Sequence, residues 1–304
     1  MTSAQVNGIT LTYESLGDPN SPPILLIMGL GMQLTGWPDT FCTALVGRSF
    51  RVIRFDNRDI GLSTKFGHLP IPNLAWLAIK ARLGLPIRSG YSLADMADDA
   101  VGLLDALGLE TAHVAGASMG GMVAQLVAAL HPGRVRSLTS IMSSTGARRL
   151  PGPTPRAAAA LLGKPDNPSD PQSVIEHYVR LFRVVGSPGF PTDEDELRHR
   201  LAESVRRSYY PAGSARQLHA IAACGDRSRL LRKVEAPTLV IHGVDDPLIP
   251  VECGKDTAAK ISGAKLRVIQ GMGHDLAPGL QPIIVSAIAE HCQEAETKEH
   301  ATAA

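Results

Sequence analysis

A serine flanked by small residues is the part of this sequence best suited to chemistry. Residues 116–120 read Gly-Ala-Ser-Met-Gly, with Ser118 at the centre of a G-x-S-x-G motif. An apolar run at 112–115 precedes the motif, and a helix-compatible segment at 119–131 follows it. A strand, a sharp turn and a helix in that order would hold the serine Oγ at the tip of a strained turn. The motif therefore predicts a nucleophilic serine.

The base that such a serine requires has one well-placed candidate. His274 ends the glycine-rich segment 271–274, Gly-Met-Gly-His, directly after an apolar run at 266–270. Of the ten histidines, only His274 lies on a glycine-rich loop after a late strand-like run. His242 is the competitor, but its position at the end of a strand-like run is more typical of local packing. We therefore expect His274 to remove the serine proton.

Two adjacent aspartates could orient that histidine. Asp245 and Asp246 follow the apolar run 238–242, and ligand sites of parallel sheets collect at the carboxyl ends of the strands. Both are available, and Pro247 directly after Asp246 favours Asp246. The segment 141–145, Ile-Met-Ser-Ser-Thr, follows the preceding strand-like run and offers no carboxylate. The acid is therefore expected in the later loop.

Hydrolysis at a serine also needs two N–H donors for the negative oxygen of the tetrahedral intermediate, each worth about 3 kcal/mol. The first expected donor is the amide of Met119, which follows the serine. The second is the amide of Leu30, in the segment 28–32, Met-Gly-Leu-Gly-Met, where two glycines allow close approach of backbone to a substrate.

The elements that must position these groups alternate between strand and helix. The predicted buried strands are 23–28, 51–55, 112–117, 137–142, 238–242 and 266–270. Their near-continuous apolar runs are typical of a parallel sheet covered on both faces. The clearest helix spans 93–107, with Ser92 as its N-cap and Gly108 as its stop. The fold class is therefore α/β, with a mostly parallel central sheet and helices on both faces.

Two regions interrupt this alternation. Residues 144–232 contain helical segments, many prolines and no convincing strand, which predicts a helical cap over a core formed by 1–143 and 233–293. Residues 66–87 are long and apolar for a loop, and form either a satellite core or an apolar substrate entrance. The polar, alanine-rich tail 294–304 is expected to be disordered.

Bulk composition excludes several function classes. The 304 residues carry a formal net charge of +1, with 19% charged residues of both signs, so no basic surface for nucleic acid is indicated. The apolar run 22–32 is too short for an integral membrane segment, and residues 1–5 do not begin a signal peptide. The four cysteines are scattered and are expected to stay reduced. We expect a cytoplasmic protein, and its oligomeric state is unknown from the sequence.

Several separated motifs together resemble the α/β-hydrolase superfamily, over nearly the whole chain. They are Gly29-Leu30-Gly31, Gly36-Trp37-Pro38, the segment from Asp56 to Ser63, the turn at Ser118, Asp246-Pro247 and Gly271-Met272-Gly273-His274. Some of these pieces are similar to the branch that includes aclacinomycin methylesterase and related bacterial ester hydrolases. The resemblance implies an α/β-hydrolase fold with a helical cap and a triad of Ser118, Asp246 and His274.

Two departures from the superfamily pattern concern the loops. Met28 stands before Gly29 where many members have histidine, which affects the loop expected to supply the Leu30 amide. Asp59 replaces the first glycine of the commoner Asp-x-Arg-Gly-x-Gly-x-Ser segment, as in the methylesterase-like branch. Asp56 and Arg58 of this segment are expected to fix loops and not to take part in catalysis.

The expected activity is hydrolysis of a small, apolar carboxylic ester through a serine acyl-enzyme, with no metal and no organic cofactor. C–C bond hydrolases and cofactor-free haloperoxidases or perhydrolases share the serine turn and remain alternatives. A non-catalytic small-molecule receptor is a further alternative, disfavoured because a pure binder has no use for a complete triad.

Overall fold

A computed structural model describes residues 2–303, with side chains except those of residues 75, 78, 81, 82 and 298–303. These residues form a single eight-stranded sheet. Its strands are β1 (Thr2–Val6), β2 (Ile9–Leu16), β3 (Pro23–Ile27), β4 (Arg51–Phe55), β5 (Ala112–Ala117), β6 (Val135–Ile141), β7 (Thr238–Gly243) and β8 (Lys265–Ile269).

Helices connect and cover these strands. They are α1 (Asp39–Val46), α2 (Leu74–Leu83), α3 (Leu93–Ala106), α4 (Met119–Leu130), α5 (Pro155–Leu162), α6 (Pro171–Val185), α7 (Glu194–Arg207), α8 (Pro211–Cys224), α9 (Ser228–Leu231), α10 (Val251–Lys260) and α11 (Gln281–Ala303). Between residues 2 and 303, none of them combines the length and the apolar character needed to cross a bilayer.

The strand order confirms the predicted fold class. The strands lie in the order β1-β2-β4-β3-β5-β6-β7-β8, and all pairs from β4 to β8 are parallel. All six predicted strands are present, with ends within two residues of the prediction. The α/β architecture therefore brings the carboxyl ends of β3, β5, β7 and β8 to one edge of the sheet, where the candidate loops begin.

The sequence interpretation missed the antiparallel hairpin formed by β1 and β2. Asn7 and Gly8 join the two strands, and both have positive φ, 48° and 78°. Two such residues in succession are the signature of a tight hairpin turn whose twist matches that of the strands, and Asn-Gly is its preferred sequence. The signal was therefore present in the sequence.

Strand β3 shows why the apolar runs lack alternation. Ile24 and Leu26 pack in one core with residues of α1 and α11, whereas Leu25 and Ile27 pack in the other core with residues of α3 and α4. All four side chains are fully buried. Because both faces of the sheet are covered at β3, successive residues of this strand are apolar without alternation.

The segment between β6 and β7 contains five helices, α5 to α9, and no strand among its residues, all of which the structure describes. Helices α6 and α7 share a small apolar cluster of their own, formed by Ile175, Val179, Leu197 and Leu201. Ala220 of α8 and Leu231 of α9 belong instead to the main core under the sheet. Helices α8 and α9 are thus anchored in the main core, whereas α6 and α7 pack against each other in a cluster of their own.

Among the residues of 66–87 whose side chains are described, no separate apolar cluster forms, so the satellite core that was one of the two predictions is not seen there. This range includes helix α2, whose Leu77 is buried, but Trp76, Ile79 and Leu83 are about half exposed or more. The helical spacing of these apolar residues agrees with α2, but the three exposed side chains find too few partners in the fold to be buried.

The predicted tail overlaps the last helix. Helix α11 runs to Ala303 through most of the range 294–304, and the last residue lies outside the described part of the chain. Ala295 is buried, and the Glu296 carboxylate lies 2.8 Å from an Arg136 nitrogen. Packing and an ion pair therefore hold Ala295 and Glu296 against the fold, although the composition of this segment favours disorder.

A buried ion pair joins helix α8 to the loop after β4. The Asp59 carboxylate accepts hydrogen bonds from Arg216 Nε (2.6 Å) and Nη2 (2.9 Å), and from the Tyr91 hydroxyl (3.1 Å). Asp59 has a φ of 72°, so it adopts the conformation of the glycine that it replaces in the superfamily pattern. Its charge requires the arginine because neither side chain is accessible to solvent beyond a few per cent.

We expect Arg216→Met to lower the free energy of unfolding by about 3–5 kcal/mol, because it leaves the Asp59 carboxylate buried without a counter-charge. Urea denaturation followed by circular dichroism measures the change. The exposed Arg206→Met on α7 is the control and should change it by less than about 0.5 kcal/mol. A loss below about 1 kcal/mol for Arg216→Met would contradict this account.

Candidate active site

Ser118 occupies a strained backbone position between β5 and α4. Its φ is 56° and its ψ is −120°, in the left-handed half of conformational space that residues with a side chain rarely adopt. Its N–H donates to Ile141 O (2.9 Å), and the Ser143 hydroxyl donates to its carbonyl oxygen (2.8 Å). These bonds to β6 and the loop after it hold the serine in that conformation.

Two glycines make this turn possible. A Cβ on Gly116 would overlap the carbonyl oxygen of Gly120, and a Cβ on Gly120 would overlap the carbonyl oxygen of Ile27 at the end of β3. The first turn of α4 can therefore lie directly against β3 and β5 only because both side chains are absent.

The structure brings the three predicted side chains into one hydrogen-bonded row. Ser118 Oγ lies 3.0 Å from His274 Nε2, and His274 Nδ1 lies 2.7 Å from Asp246 Oδ2. With the imidazole hydrogen on Nδ1, the ring donates to the carboxylate and Nε2 accepts from the serine hydroxyl. This is the arrangement in which a histidine can take the serine proton.

The loop after β7 separates the roles of the two aspartates. Besides His274, Asp246 accepts N–H donors from Leu248 (2.9 Å) and Ile249 (2.8 Å) through Oδ1, and its side chain is fully buried. Asp245 instead accepts the Gly271 N–H (2.8 Å) at the start of the loop after β8. Asp246 is thus the residue that contacts the imidazole, and Asp245 ties two loops together.

His242 lies behind this row and does not reach the serine. It is fully buried, its Nε2 lies 2.7 Å from Ile249 O, and the nearest Asp246 oxygen is 3.7 Å away. Burial lowers the pKa of His242, so the neutral ring with hydrogen on Nε2 is favoured. His242 therefore supports the loop that carries Asp246, as expected of a locally bonded residue.

The two predicted backbone donors flank the serine. A Cβ on Gly29 would lie 3.2 Å from Ser118 Cβ, so the loop carrying Leu30 passes directly beside Ser118. Within residues 2–303, neither the Leu30 N–H nor the Met119 N–H donates to another group of the protein. Both amides are thus available to an oxygen bound next to Ser118.

A cavity of about 830 Å³ opens above Ser118 and His274, within the size range of small-molecule sites. Five of the chain's eight methionines line it: Met28, Met32, Met119, Met122 and Met142. Unbranched thioether side chains adapt to ligands of irregular shape. Its lining includes none of residues 66–87 whose side chains are described, so the predicted apolar entrance is not part of this wall.

Helices α6, α7 and α8 form the opposite wall, and the sequence interpretation assigned none of these residues to a site. The wall residues include Tyr178, Phe182, Leu197, Leu201 and Leu218. Burial raises the pKa of Tyr178 to about 12, so its hydroxyl stays protonated. Helical periodicity identified these helices, but it does not indicate which apolar face turns towards a cavity.

No group of three or more His, Cys, Asp or Glu side chains among the described residues is arranged to hold a metal ion.

Comparison with protein families gives a match over residues 22–277 to the family described as the alpha/beta hydrolase fold. Rhodomycin D methylesterase DauP from Streptomyces sp. (strain C5) is 28% identical over 311 residues, covering 94% of this chain and 96% of that protein. The similarity to a methylesterase therefore extends over nearly both lengths.

Two further relatives carry a different activity in their names. The 2-hydroxymuconate semialdehyde hydrolase of Pseudomonas sp. (strain CF600) is 28% identical over 263 residues, covering 83% of this chain and 80% of that protein. The solved meta-cleavage product hydrolase from Pseudomonas fluorescens IP01 superposes with a TM-score of 0.74 at 22% identity, covering 97% of this chain and 98% of that chain. At that identity the superposition shows a shared fold.

We expect Asp246→Asn to slow phosphonylation of Ser118 by a fluorophosphonate by about 10⁴-fold, because the amide favours the wrong tautomer of His274. The matched control is Asp245→Asn, which keeps an oxygen for the Gly271 N–H and should change the rate by about twofold or less. Mass spectrometry of the labelled peptide measures both rates. Similar rates for the two variants would exclude Asp246 as the orienting acid.

Proposed function

The chain belongs to the α/β-hydrolase fold family and is a hydrolase, and we propose that it cleaves carboxylic esters through a serine acyl-enzyme. The observation that carries this proposal is the row of contacts from Ser118 Oγ to His274 (3.0 Å) and from His274 to Asp246 (2.7 Å). The similarity to a methylesterase over 94% of the chain supports an ester as the substrate.

In the first half of the reaction, Ser118 Oγ attacks the ester carbonyl carbon while His274 Nε2 takes the serine proton. Asp246 keeps the ring oriented and stabilises the imidazolium that forms. The N–H groups of Leu30 and Met119 donate to the negative oxygen of the tetrahedral intermediate, each worth about 3 kcal/mol. His274 then protonates the departing alcohol, which leaves an acyl group on Ser118.

In the second half, water replaces the alcohol. His274 removes a proton from the water as it attacks the acyl carbonyl, and the same two amides hold the new negative oxygen. Collapse of this intermediate returns the proton to Ser118 and releases the carboxylic acid. None of these steps uses a metal or an organic cofactor.

The cavity supports a small, apolar ester as the substrate. Its wall combines five methionines with leucine and phenylalanine side chains of α6 to α8, and its size accepts substrates larger than acetate esters. We further propose that residues 144–232 act as a helical cap over a core of 1–143 and 233–293. The separate apolar cluster of α6 and α7 supports that division.

Replacing the nucleophile tests the central claim. Ser118→Ala should lower kcat for p-nitrophenyl butyrate by about 10⁶-fold, because no other group can form the acyl-enzyme. The release of p-nitrophenol measures turnover, and the thermal midpoint of the variant checks that the fold is intact. Retained turnover, or fluorophosphonate labelling at another residue, would overturn the assignment.

The apolar wall of the cavity leads to a quantitative expectation about how the rate depends on acyl chain length. In a series of p-nitrophenyl esters, kcat/KM should rise roughly threefold to fourfold per added methylene until the cavity is filled, because each buried methylene contributes about 0.8 kcal/mol. A flat series, or a preference for acetate, would show that the apolar wall does not contact the acyl chain.

C–C bond hydrolysis is the second candidate, favoured by the 28% identity to 2-hydroxymuconate semialdehyde hydrolase. The ester is preferred because the methylesterase similarity covers more of both proteins. Parallel assays with an ester, a vinylogous diketone and a peracid-forming reaction compare the candidates by kcat/KM. The substrate with the highest value decides between them.

A further inference from the structure

A short segment that starts at the last residue of α6 and leads towards α7 lies against the loop that carries His274. We call residues 185–189 the clasp and residues 271–275 the base loop. The His274 N–H donates to the carbonyl oxygen of Val185 (2.6 Å), and the Gly189 N–H donates to the carbonyl oxygen of Gly271 (2.9 Å). The backbone of the proposed base is therefore bonded to the segment between β6 and β7, which comes from a distant part of the chain.

One hydroxyl of the clasp holds both neighbours of His274. Ser187 Oγ accepts the Gly273 N–H (2.8 Å) and donates to the carboxylate of Asp275. With the bond from the His274 N–H to the Val185 carbonyl oxygen, all three residues from 273 to 275 are tied to the clasp. Ser187 is only 5% exposed, so water has little access to compete for these hydrogen bonds.

Glycines allow the two loops to meet backbone to backbone. A Cβ on Gly273 would overlap the carbonyl oxygen of Gly186, and a Cβ on Gly189 would lie 2.7 Å from the Cα of Gly271. No side chain separates the clasp from the base loop at these points. A displacement of the clasp must therefore displace the base loop as well.

Asp275 adds a second carboxylate beside the imidazole. Burial raises the pKa of Asp275, while the Ser187 hydrogen bonds and the charge of His274 act in the opposite direction. Asp246 and His242 also face His274, from the loop after β7 and from β7 itself. Asp275 lines the cavity next to His274 without taking the place of Asp246.

We propose that Ser187 and Asp275 are positioning residues for His274. The clasp fixes the base loop so that Nε2 lies within reach of Ser118, and the Asp275 carboxylate favours the imidazolium formed during turnover. Because Val185, Gly186 and Ser187 also line the cavity, a substrate that fills the cavity contacts the segment that holds the base. The inference rests on the proposed serine mechanism.

The test compares Ser187→Ala, Asp275→Asn and Ser187→Thr. Ser187→Ala should lower kcat by about 10²-fold with little change in KM, because a misplaced base affects the reaction and not the binding of substrate. Ser187→Thr keeps the hydroxyl and should recover most of the loss. Asp275→Asn keeps an acceptor for Ser187 but removes the charge, and should lower kcat by about tenfold.

Thr145 supplies a matched control. Its hydroxyl also donates to a carboxylate, that of Asp256 (2.7 Å), and accepts a backbone N–H, that of Ala147 (3.2 Å), but it does not line the cavity. Thr145→Ala removes the same kind of bond between the helical segment and the core. It should lower the thermal midpoint without changing kcat.

The measurements are kcat and KM for p-nitrophenyl butyrate, the rate of Ser118 phosphonylation, and the thermal midpoint. If the clasp is purely structural, the Ser187 and Asp275 variants should behave like Thr145→Ala: their thermal midpoints fall, and kcat and the phosphonylation rate do not change. That result would overturn the inference. If Ser187→Ala does not fold, the isosteric Asp275→Asn decides by the same criterion. Failure of the wild-type protein to hydrolyse esters or to label at Ser118 would instead refute the proposed function.

Discussion

The backbone turn at Ser118 is the constraint on which the rest of the site depends. A residue with a side chain keeps a φ of 56° only if its surroundings hold it there. Here β3, β5 and α4 approach so closely that there is no room for a Cβ at Gly116 or Gly120. That close approach sets where the serine oxygen lies. Strands β3, β7 and β8 end at the same edge of the sheet, so the loops that follow them bring their functional groups next to the serine oxygen.

Much of this arrangement was predictable because it is encoded locally. Apolar runs indicated the parallel strands, and the glycine pattern indicated the turn at Ser118. The chain order then pointed to His274 and to two candidate acids. The choice between Asp245 and Asp246 rested on a neighbouring proline and a family resemblance. In the structure, the contact between Asp246 and the imidazole depends on how the loop after β7 folds back onto its own N–H groups.

The features that were missed depend on contacts between distant parts of the chain. Ser187 lies in a Gly-Ser-Pro-Gly stretch that reads as an ordinary connection, and nothing nearby indicates that it meets the base loop 86 residues later. Glu296 of α11 is similar, since nothing in the polar, alanine-rich sequence around it indicates its contact with Arg136 on β6. The Asn7–Gly8 hairpin is different, because its local signal was available and was overlooked.

The bonds between the clasp and the base loop bear on how new specificities can arise in this architecture. Helices α6 to α8 are the natural place for variation, since they line the cavity and supply none of the side chains in the row from Ser118 to Asp246. Here residues 185–189 of that region are backbone-bonded to the loop of His274, so exchanging the whole of 144–232 with a homologue would also exchange the support of the proposed base. A chimaera that takes the rest of 144–232 from the homologue but keeps residues 185–189 of this chain would change the walls of the cavity and leave the support of the His274 loop unchanged.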